Sequence, residues 1–298
     1  MLARVLVAVL GGCLAAACTA VRAAPPPSEE RARSADGVPL AYESAGVGEP
    51  TLVFVHGWCG SRQIWRATLA EFGARERVVA LDLAGHGDSG AQRARWTLDA
   101  LAADVVAVVQ ASGAREVILV GHSMGATVAL LAAPRLRALE NAPRVFGLIA
   151  VEGLHDPDFS YPPGFLERVA TELRGDFPRA LEASLRGVAG PSTLAEHLSW
   201  LMEAGLRADR GAALGLLAGL EGFELGAALR AAGVPVRAIN AAPRPGGGLA
   251  TALERNREFA DYQALLLDGC GHFPMLEQPV AFRAALARWV DELRGDER

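Results

Sequence analysis

The sequence predicts an α/β fold, with a mostly parallel central sheet, helices on both faces and an inserted helical cap. Short, continuously apolar segments alternate with helical segments in both halves of the chain, as in sheets that are buried on both faces. The middle of the chain lacks a convincing buried strand, and Pro and Gly separate its helical stretches. The third observation is the stretch 117–126, which joins an apolar strand to an Ala-rich helix through Gly-His-Ser-Met-Gly.

The composition is that of a globular protein with a sizeable core. The chain has 298 residues, of which 51% are hydrophobic, and its net charge is −5. Basic residues are scattered along the chain rather than clustered, which argues against nucleic acid as a partner. The predicted core comprises residues 28–154 and 225–298, and the predicted cap comprises residues 155–224.

The first 24 residues are predicted to be a secretory signal rather than part of the fold. A short basic start precedes an apolar run from Val5 to Ala17, which is too short to span a membrane comfortably. Cys18 follows three alanines, as in bacterial lipoprotein processing sites, and ordinary cleavage near residues 20–24 is the alternative. Both interpretations predict a secreted or periplasmic protein, and lipidation at Cys18 would also attach it to a bacterial membrane.

In the first half of the chain, strands are followed by turns and then by helices. A β-hairpin is predicted at 31–43, around Asp36-Gly37, and buried strands are predicted at 51–55, 77–82, 117–121 and 144–151. Helices are predicted at 63–72, 98–110 and 124–133. In such sheets the chemistry gathers at the carboxyl ends of the strands, where the motifs of this chain fall.

Alternation resumes after the predicted cap. Helices are predicted at 225–232, 250–259 and 279–293, strands at 235–240 and 262–267, and a loop at 243–248. The last of these helices is amphipathic and closes the chain.

Ser123 is the predicted nucleophile. It lies in Gly121-His-Ser-Met-Gly125, where a strand–turn–helix context predicts a sharp turn that exposes the hydroxyl at the carboxyl edge of the sheet. Gly121 and Gly125 leave room, because a Cβ at either position would collide with the neighbouring chain. The helix that begins at Met124 points its N–H groups towards the same place, where negative charge is stabilised.

Four short motifs follow one another along the chain. They are His56-Gly57-Trp58, Asp82-x-x-Gly85-x-Gly87-x-Ser89, Gly121-x-Ser123-x-Gly125 and Gly271-His272-x-x-x-x-Glu277. Together they resemble the α/β-hydrolase superfamily, in its capped, serine-nucleophile, esterase-like branch, over about residues 30–293. The resemblance implies a Ser–acid–His triad in that chain order, an oxyanion hole, and neither a cofactor nor a metal.

His272 is the predicted base among six histidines. It follows the last predicted strand, on a loop flanked by Gly that can reach back to Ser123. The others are expected to be structural, turned away from the serine, or solvated or pocket-lining in the cap: His56, His86, His122, His155 and His197.

The acid is missing from its usual position. The family usually places it after the strand that follows the cap, and residues 236–253 of this chain contain no carboxylate. Some relatives, notably many haloalkane dehalogenases, use the end of the strand after the nucleophile helix, where this chain has Glu152. We therefore predict Glu152 as the acid, with Asp156 as the first alternative and Asp268 as a weaker candidate.

The resemblance also suggests further residues of the site. It assigns the oxyanion hole to the backbone N–H groups of Trp58 and Met124. Cys59 and Cys270 fall on the two loops that the fold brings together. In an oxidising compartment they would either form a disulfide that braces the site or remain two separate buried thiols.

These residues predict a serine hydrolase that cleaves an ester through an acyl-enzyme. The Ser nucleophile argues against dehalogenase or epoxide hydrolase chemistry, in which the family uses Asp. Apolar runs near 212–220 hint at a small, apolar acyl substrate, although core packing explains them equally well. Acyl transfer to another acceptor, perhydrolysis, carbon–carbon bond hydrolysis and a non-catalytic binding protein of this fold remain alternatives.

Overall fold

A single sheet of eight strands organises the protein. The computed structural model describes residues 28–242 and 253–295. The strands are β1 (Ser28–Arg33), β2 (Pro39–Ala45), β3 (Thr51–Val55), β4 (Val78–Leu81), β5 (Glu116–His122), β6 (Arg144–Val151), β7 (Val236–Ala241) and β8 (Tyr262–Leu267). Their spatial order is β1-β2-β4-β3-β5-β6-β7-β8. The strands from β4 to β8 in this order are parallel, whereas β1 and β2 form an antiparallel hairpin at one edge.

Helices cover both faces of this sheet, and four of the helices form an insert. They are α1 (Arg66–Phe72), α2 (Leu98–Ser112), α3 (Met124–Arg137), α4 (Phe165–Gly175), α5 (Phe177–Val188), α6 (Ala195–Leu206), α7 (Arg210–Ala218), α8 (Leu225–Ala232), α9 (Pro274–Glu277) and α10 (Pro279–Arg294). Apolar residues of α2, α3 and α8 pack on one face, and those of α1 and α10 pack on the other. Every residue of β3 and β4 is buried, as expected for strands that are covered on both sides.

The predicted fold class is confirmed, and two elements differ in detail. The helix predicted at 63–72 begins as a 3-10 turn, Arg62–Trp65, before α1. The first residue of this 3-10 turn is Arg62, and the buried Asp82 holds it, because the Arg62 N–H donates to Asp82 Oδ1 at 2.7 Å. The helix predicted at 250–259 ends in a 3-10 turn, Asn256–Glu258. Its start, and the loop predicted at 243–248, lie outside the described residues.

Helices α4 to α7 form an insert between β6 and α8. They pack on one another through an apolar cluster of their own, which includes Leu166, Phe177, Leu181 and Leu217. The insert is also joined to the core, because the Asp209 N–H donates to the Gly85 carbonyl at 2.8 Å. The limits of 155–224 assigned to the cap from the sequence remain a prediction.

The predicted signal at 1–24 and the lipidation candidate Cys18 lie outside the described residues. In the part of the chain that the structure describes, no helix has the length and apolar character needed to cross a membrane. Secretion and membrane attachment therefore remain predictions.

Candidate active site

Ser123 stands at the sharp turn between β5 and α3. Its backbone has φ 54° and ψ −122°, a conformation that costs a residue with a side chain on the order of 1–3 kcal/mol. A Cβ at Gly121 would lie 2.5 Å from Ala126 Cα, and a Cβ at Gly125 would lie 2.5 Å from the Val55 carbonyl oxygen. Both obstacles are main-chain atoms, so close packing of the backbone requires glycine on each side of the serine.

Main-chain groups from two other segments lie beside Ser123. Its N–H donates to the Val151 carbonyl at 2.9 Å, which ties the turn to the end of β6. A Cβ at Gly57 would lie 3.1 Å from Ser123 Cβ, so the loop that carries Trp58 passes beside the serine. Within residues 28–242 and 253–295, neither the Ser123 hydroxyl nor the N–H groups of Trp58 and Met124 make a hydrogen bond.

His272 lies on the loop between β8 and α9, in contact with Glu152. Its Nδ1 is 3.3 Å from Glu152 Oε2, and the two side chains are 22% and 11% exposed. Because Nδ1 faces the carboxylate, Nε2 is the ring nitrogen that is left to accept a proton. His122 of β5 also holds this loop, because its Nε2 donates to the His272 carbonyl at 2.7 Å. Burial holds the pKa of His122 well below the usual value.

Glu152 is fixed by the backbone of β7. It follows β6 with a left-handed φ of 49°, and its N–H donates to the Ile239 carbonyl at 3.0 Å. Its Oε1 accepts from the Ala241 N–H at 2.5 Å, which leaves Oε2 for His272. The carboxylate is therefore held by one strand while it contacts an imidazole from another loop.

The alternative acids lie elsewhere. Asp156 Oδ1 accepts from the Arg255 guanidinium at 2.6 Å, and Asp268 is exposed after β8. Neither carboxylate bonds to His272 in the described part of the chain. Glu152 is the candidate acid that the structure brings to His272.

His155 and Asn240 make a contact beside Glu152 that the sequence did not reveal. His155 Nε2 is 3.1 Å from Asn240 Oδ1 and 3.8 Å from Glu152 Oε1. Burial lowers the pKa of His155, although the Glu152 carboxylate opposes that effect. The sequence placed His155 in the cap as a solvated or pocket-lining residue. Because the chain turns at Leu154, with φ 55°, the imidazole lies beside the Glu152 carboxylate while its side chain stays 35% exposed.

The histidines of the first two motifs hold turns together. His56 Nδ1 donates to the Gly57 carbonyl at 2.8 Å, its Nε2 accepts from the Leu83 N–H at 3.0 Å, and burial lowers its pKa to about 3. His86 is buried and donates to the Ala84 carbonyl at 3.0 Å. Both rings bond to main-chain atoms, and the His56 ring also joins its own loop to the loop after β4, as structural histidines do.

The disulfide considered for Cys59 and Cys270 is not formed, and both residues are buried free thiols. Cys59 packs into the apolar cluster of the insert, where burial raises its pKa. The Cys270 thiol is turned to the Leu267 carbonyl at 3.4 Å, and burial raises its pKa to about 11. Each sulfur has its own packing environment in this structure, and pairing of the two thiols in an oxidising compartment stays a prediction.

The arrangement supplies the parts of a nucleophilic site: a strained serine, an imidazole paired with a carboxylate, and unoccupied backbone N–H donors. Within residues 28–242 and 253–295, no group of His, Cys, Asp and Glu is placed to hold a metal ion.

The alpha/beta hydrolase family model matches residues 52–285, which is most of the chain. The protein belongs to this family. The four sequence motifs and the helical insert are therefore features of an alpha/beta hydrolase.

Relatives of this alpha/beta hydrolase include different enzymes. Over 94 residues it is 38% identical to the dihydrolipoyllysine-residue acetyltransferase component of an acetoin-cleaving system from Cupriavidus necator, which covers 32% of this chain and 25% of that protein. Over 268 residues it is 28% identical to the pimeloyl-[acyl-carrier protein] methyl ester esterase of Edwardsiella ictaluri, covering 85% and 97% of the two chains. The structure of an esterase from a Rhodococcus species is similar with a TM-score of 0.73 and 25% identity, covering 89% and 99%. The chain thus spans a quarter of the first relative and nearly all of the other two.

Proposed function

We propose that this alpha/beta hydrolase is a carboxylic ester hydrolase that works through an acyl-enzyme. In this proposal Ser123 is the nucleophile, His272 is the base and Glu152 is the acid. The contact between His272 Nδ1 and Glu152 Oε2 is the main support, because it pairs the imidazole with a carboxylate near the strained serine. Similarity to two esterases along nearly the whole chain supports an ester as the substrate.

In the acylation half-reaction, Ser123 Oγ attacks the carbonyl carbon of the ester while His272 Nε2 takes the hydroxyl proton. Glu152 accepts the hydrogen bond from Nδ1–H, which fixes the tautomer and stabilises the imidazolium. The N–H groups of Trp58 and Met124 donate to the oxyanion, and loss of one such donor typically costs at least about a hundredfold in rate. His272 then protonates the departing alkoxide as the ester C–O bond breaks.

In the deacylation half-reaction, a water molecule gives its proton to His272 and attacks the acyl-enzyme. The carboxylic acid leaves as Ser123 recovers its proton. The Ser123 hydroxyl has no hydrogen-bond partner among the described residues, and hydrogen bonds of this kind often tighten only when substrate binds.

The substrate in this proposal is a small molecule with an apolar acyl group. Trp58, whose N–H is an oxyanion donor here, packs against the apolar cluster of the insert. An acyl group bound to Ser123 would therefore meet aliphatic and aromatic side chains. Burial of such a group contributes roughly 25 cal/mol per Å² of apolar surface.

A location outside the cytoplasm belongs to the same proposal. The apolar segment before residue 24 supports secretion, and Cys18 supports a lipid anchor on a bacterial membrane. Intact mass analysis of the mature protein tests both. A diacylated Cys18 at the amino terminus would establish the anchor, cleavage near residues 20–24 would establish a soluble secreted form, and a retained Met1 would refute secretion.

The direct test is hydrolysis of short- and medium-chain p-nitrophenyl esters, together with fluorophosphonate labelling. The parent is expected to show a burst of nitrophenol and a label on Ser123. Ser123→Ala should lose the label and about ten-thousandfold or more in rate. Ser199→Ala is the matched control, because its exposed hydroxyl only bonds to the Ala195 carbonyl of its own helix, and it should behave as the parent.

The alternatives give different outcomes. A parent that neither hydrolyses the esters nor takes up the label would be a binding protein. A parent that is labelled but forms an ester, when an alcohol is added, in preference to the acid would be an acyltransferase.

A further inference from the structure

The insert lies directly on the loop that carries His272. The His272 N–H donates to the Val188 carbonyl, at the end of α5, at 3.1 Å. Gly190 crosses Gly271 so closely that a Cβ on Gly271 would lie 2.6 Å from Gly190 Cα. A Cβ on Gly190 would likewise lie 2.7 Å from the Cys270 carbonyl carbon. The connection from α5 to α6 and the His272 loop therefore meet backbone to backbone.

Glu277 joins these two segments through its side chain. Oε1 accepts from the Gly190 N–H at 3.2 Å and from Thr193 Oγ1 at 2.7 Å, both in the insert. Oε2 accepts from the Gly271 N–H, next to His272. One carboxylate thus binds the insert with one oxygen and the base loop with the other.

Glu277 is a buried carboxylate that is held by hydrogen bonds. The residue is 6% exposed, and within residues 28–242 and 253–295 no Arg or His forms an ion pair with it. Burying a carboxylate is costly unless hydrogen bonds replace the water, and here the N–H and O–H donors of the two loops do so. Hydrogen bonds to an ionised group are roughly twice as strong as neutral ones and fix the donors more firmly.

We propose that Glu277 is a positioning residue for His272, through which the insert sets the place of the base. Glu152 holds the imidazole ring, whereas Glu277 and the Val188 carbonyl hold the main chain on which the ring stands. The conformation in which the insert packs on the sheet is then also the conformation in which the base is aligned with Ser123. This inference rests on the proposed function, since it takes His272 as the base.

Glu277→Gln is the first test. Gln keeps the size of the side chain, but its amide nitrogen cannot accept from the Gly190 or Gly271 N–H. Displacement of a reacting group by about 1 Å can cost on the order of a hundredfold, so we expect kcat to fall by about ten- to a hundredfold. KM should change less, and fluorophosphonate labelling should slow by the same factor as kcat.

Glu292→Gln is the matched control. Glu292, on α10, accepts from the guanidinium of Arg237 on β7 at 2.6 Å, so the same Glu→Gln change weakens a carboxylate contact outside the site. It should lower the denaturant midpoint and leave kcat and the labelling rate as in the parent.

A gentler pair of variants decides the question if Glu277→Gln does not fold. Thr193→Val removes the hydroxyl that donates to Glu277 Oε1 and accepts from the Gly190 N–H at 3.0 Å, and kcat should fall a few-fold. Thr193→Ser restores the hydroxyl and should restore kcat.

The results distinguish a failure of the positioning role of Glu277 from a failure of the proposed function. Parent values of kcat and labelling rate in Thr193→Val, or in a folded Glu277→Gln with a lowered denaturant midpoint, would make the joint purely structural and overturn the inference. A parent enzyme without hydrolysis or labelling would refute the proposed function instead.

Discussion

The nucleophile turn, which carries Ser123 between β5 and α3, and the base loop, which carries His272 between β8 and α9, lie at the same edge of the sheet. They are held in different ways. Ser123 is fixed by close packing of main chain in its own strand–turn–helix unit and in β3 next to it. His272 and its loop are held by the core residues Glu152, His122 and Glu277, and in addition by the Val188 carbonyl of the insert. In the proposed function, the core alone therefore holds the nucleophile, whereas the insert also holds the base. A change in the insert should therefore reach His272 before it reaches Ser123.

Gly121→Ala should have the largest effect, because it breaks the nucleophile turn itself. The new Cβ would lie 2.5 Å from Ala126 Cα, a main-chain atom that cannot move aside. We expect the free energy of unfolding to fall by about 3 kcal/mol or more and ester hydrolysis to be lost. Urea unfolding and p-nitrophenyl ester hydrolysis measure both.

Gly113→Ala is the control for that variant. Gly113 ends α2 with φ 69° and open space around it. Alanine there meets only backbone strain, so stability should fall by about 1 kcal/mol and activity should stay. Equal losses in the two variants would show that close packing does not define the turn.

Glu152→Gln removes the carboxylate that contacts His272 Nδ1. The neutral amide cannot stabilise the imidazolium of His272, and kcat should fall by about a thousandfold. Asp156→Asn is the control, because the Asp156 carboxylate contacts Arg255 and the Asp158 N–H rather than His272, and the variant should stay within about twofold of the parent. The reverse ranking of these variants in p-nitrophenyl ester hydrolysis would move the acid to Asp156.

Trp58→Phe tests how far the insert influences the loop beside Ser123. Trp58 Nε1 donates to the Ala213 carbonyl of α7 at 2.9 Å, and Phe keeps the ring and the main-chain N–H while losing that bond. We expect a loss of about 1 kcal/mol in the free energy of unfolding and a few-fold fall in kcat/KM. A larger fall in kcat than that of Glu277→Gln would contradict the contrast between the two sides.

His155→Gln should have the smallest effect, seen in the pH dependence of stability. Burial lowers the pKa of His155, so the unfolded chain takes up a proton more readily than the folded protein. The free energy of unfolding therefore falls as pH drops below about 6.5, the ordinary value for His. Urea unfolding at about pH 7.5 and 5 should show a smaller fall in His155→Gln. Parallel curves for parent and variant would exclude a contribution from His155.

The parts of the site that were predictable from the sequence are the local ones. Gly121 and Gly125 act on main chain of the same turn and of the strand beside it, so a five-residue motif describes them. Glu152 was predicted as the acid because it follows a strand whose place in the fold the motifs had already indicated. The structure puts its Oε2 3.3 Å from His272 Nδ1.

The parts that were not predictable depend on contacts between distant segments. His155 and Asn240 are 85 residues apart, and Thr193 and Glu277 are 84 apart. No short-range pattern encodes these pairs, because they depend on how the insert and the chain that leads into it settle on the sheet. The 3-10 turn that begins at Arg62 is a smaller case, since its capping Asp82 lies 20 residues further along the chain.

The crossing of Gly190 and Gly271 defines what could be transplanted between related enzymes. Exchanging the four helices for those of a homologue would put a foreign residue where only hydrogen fits, unless glycine is retained at the junction. The natural module for a chimera is therefore discontinuous: the helices together with residues 269–277. Recombination that respects this boundary would carry His272 together with the insert and leave Ser123 in the core of the recipient protein.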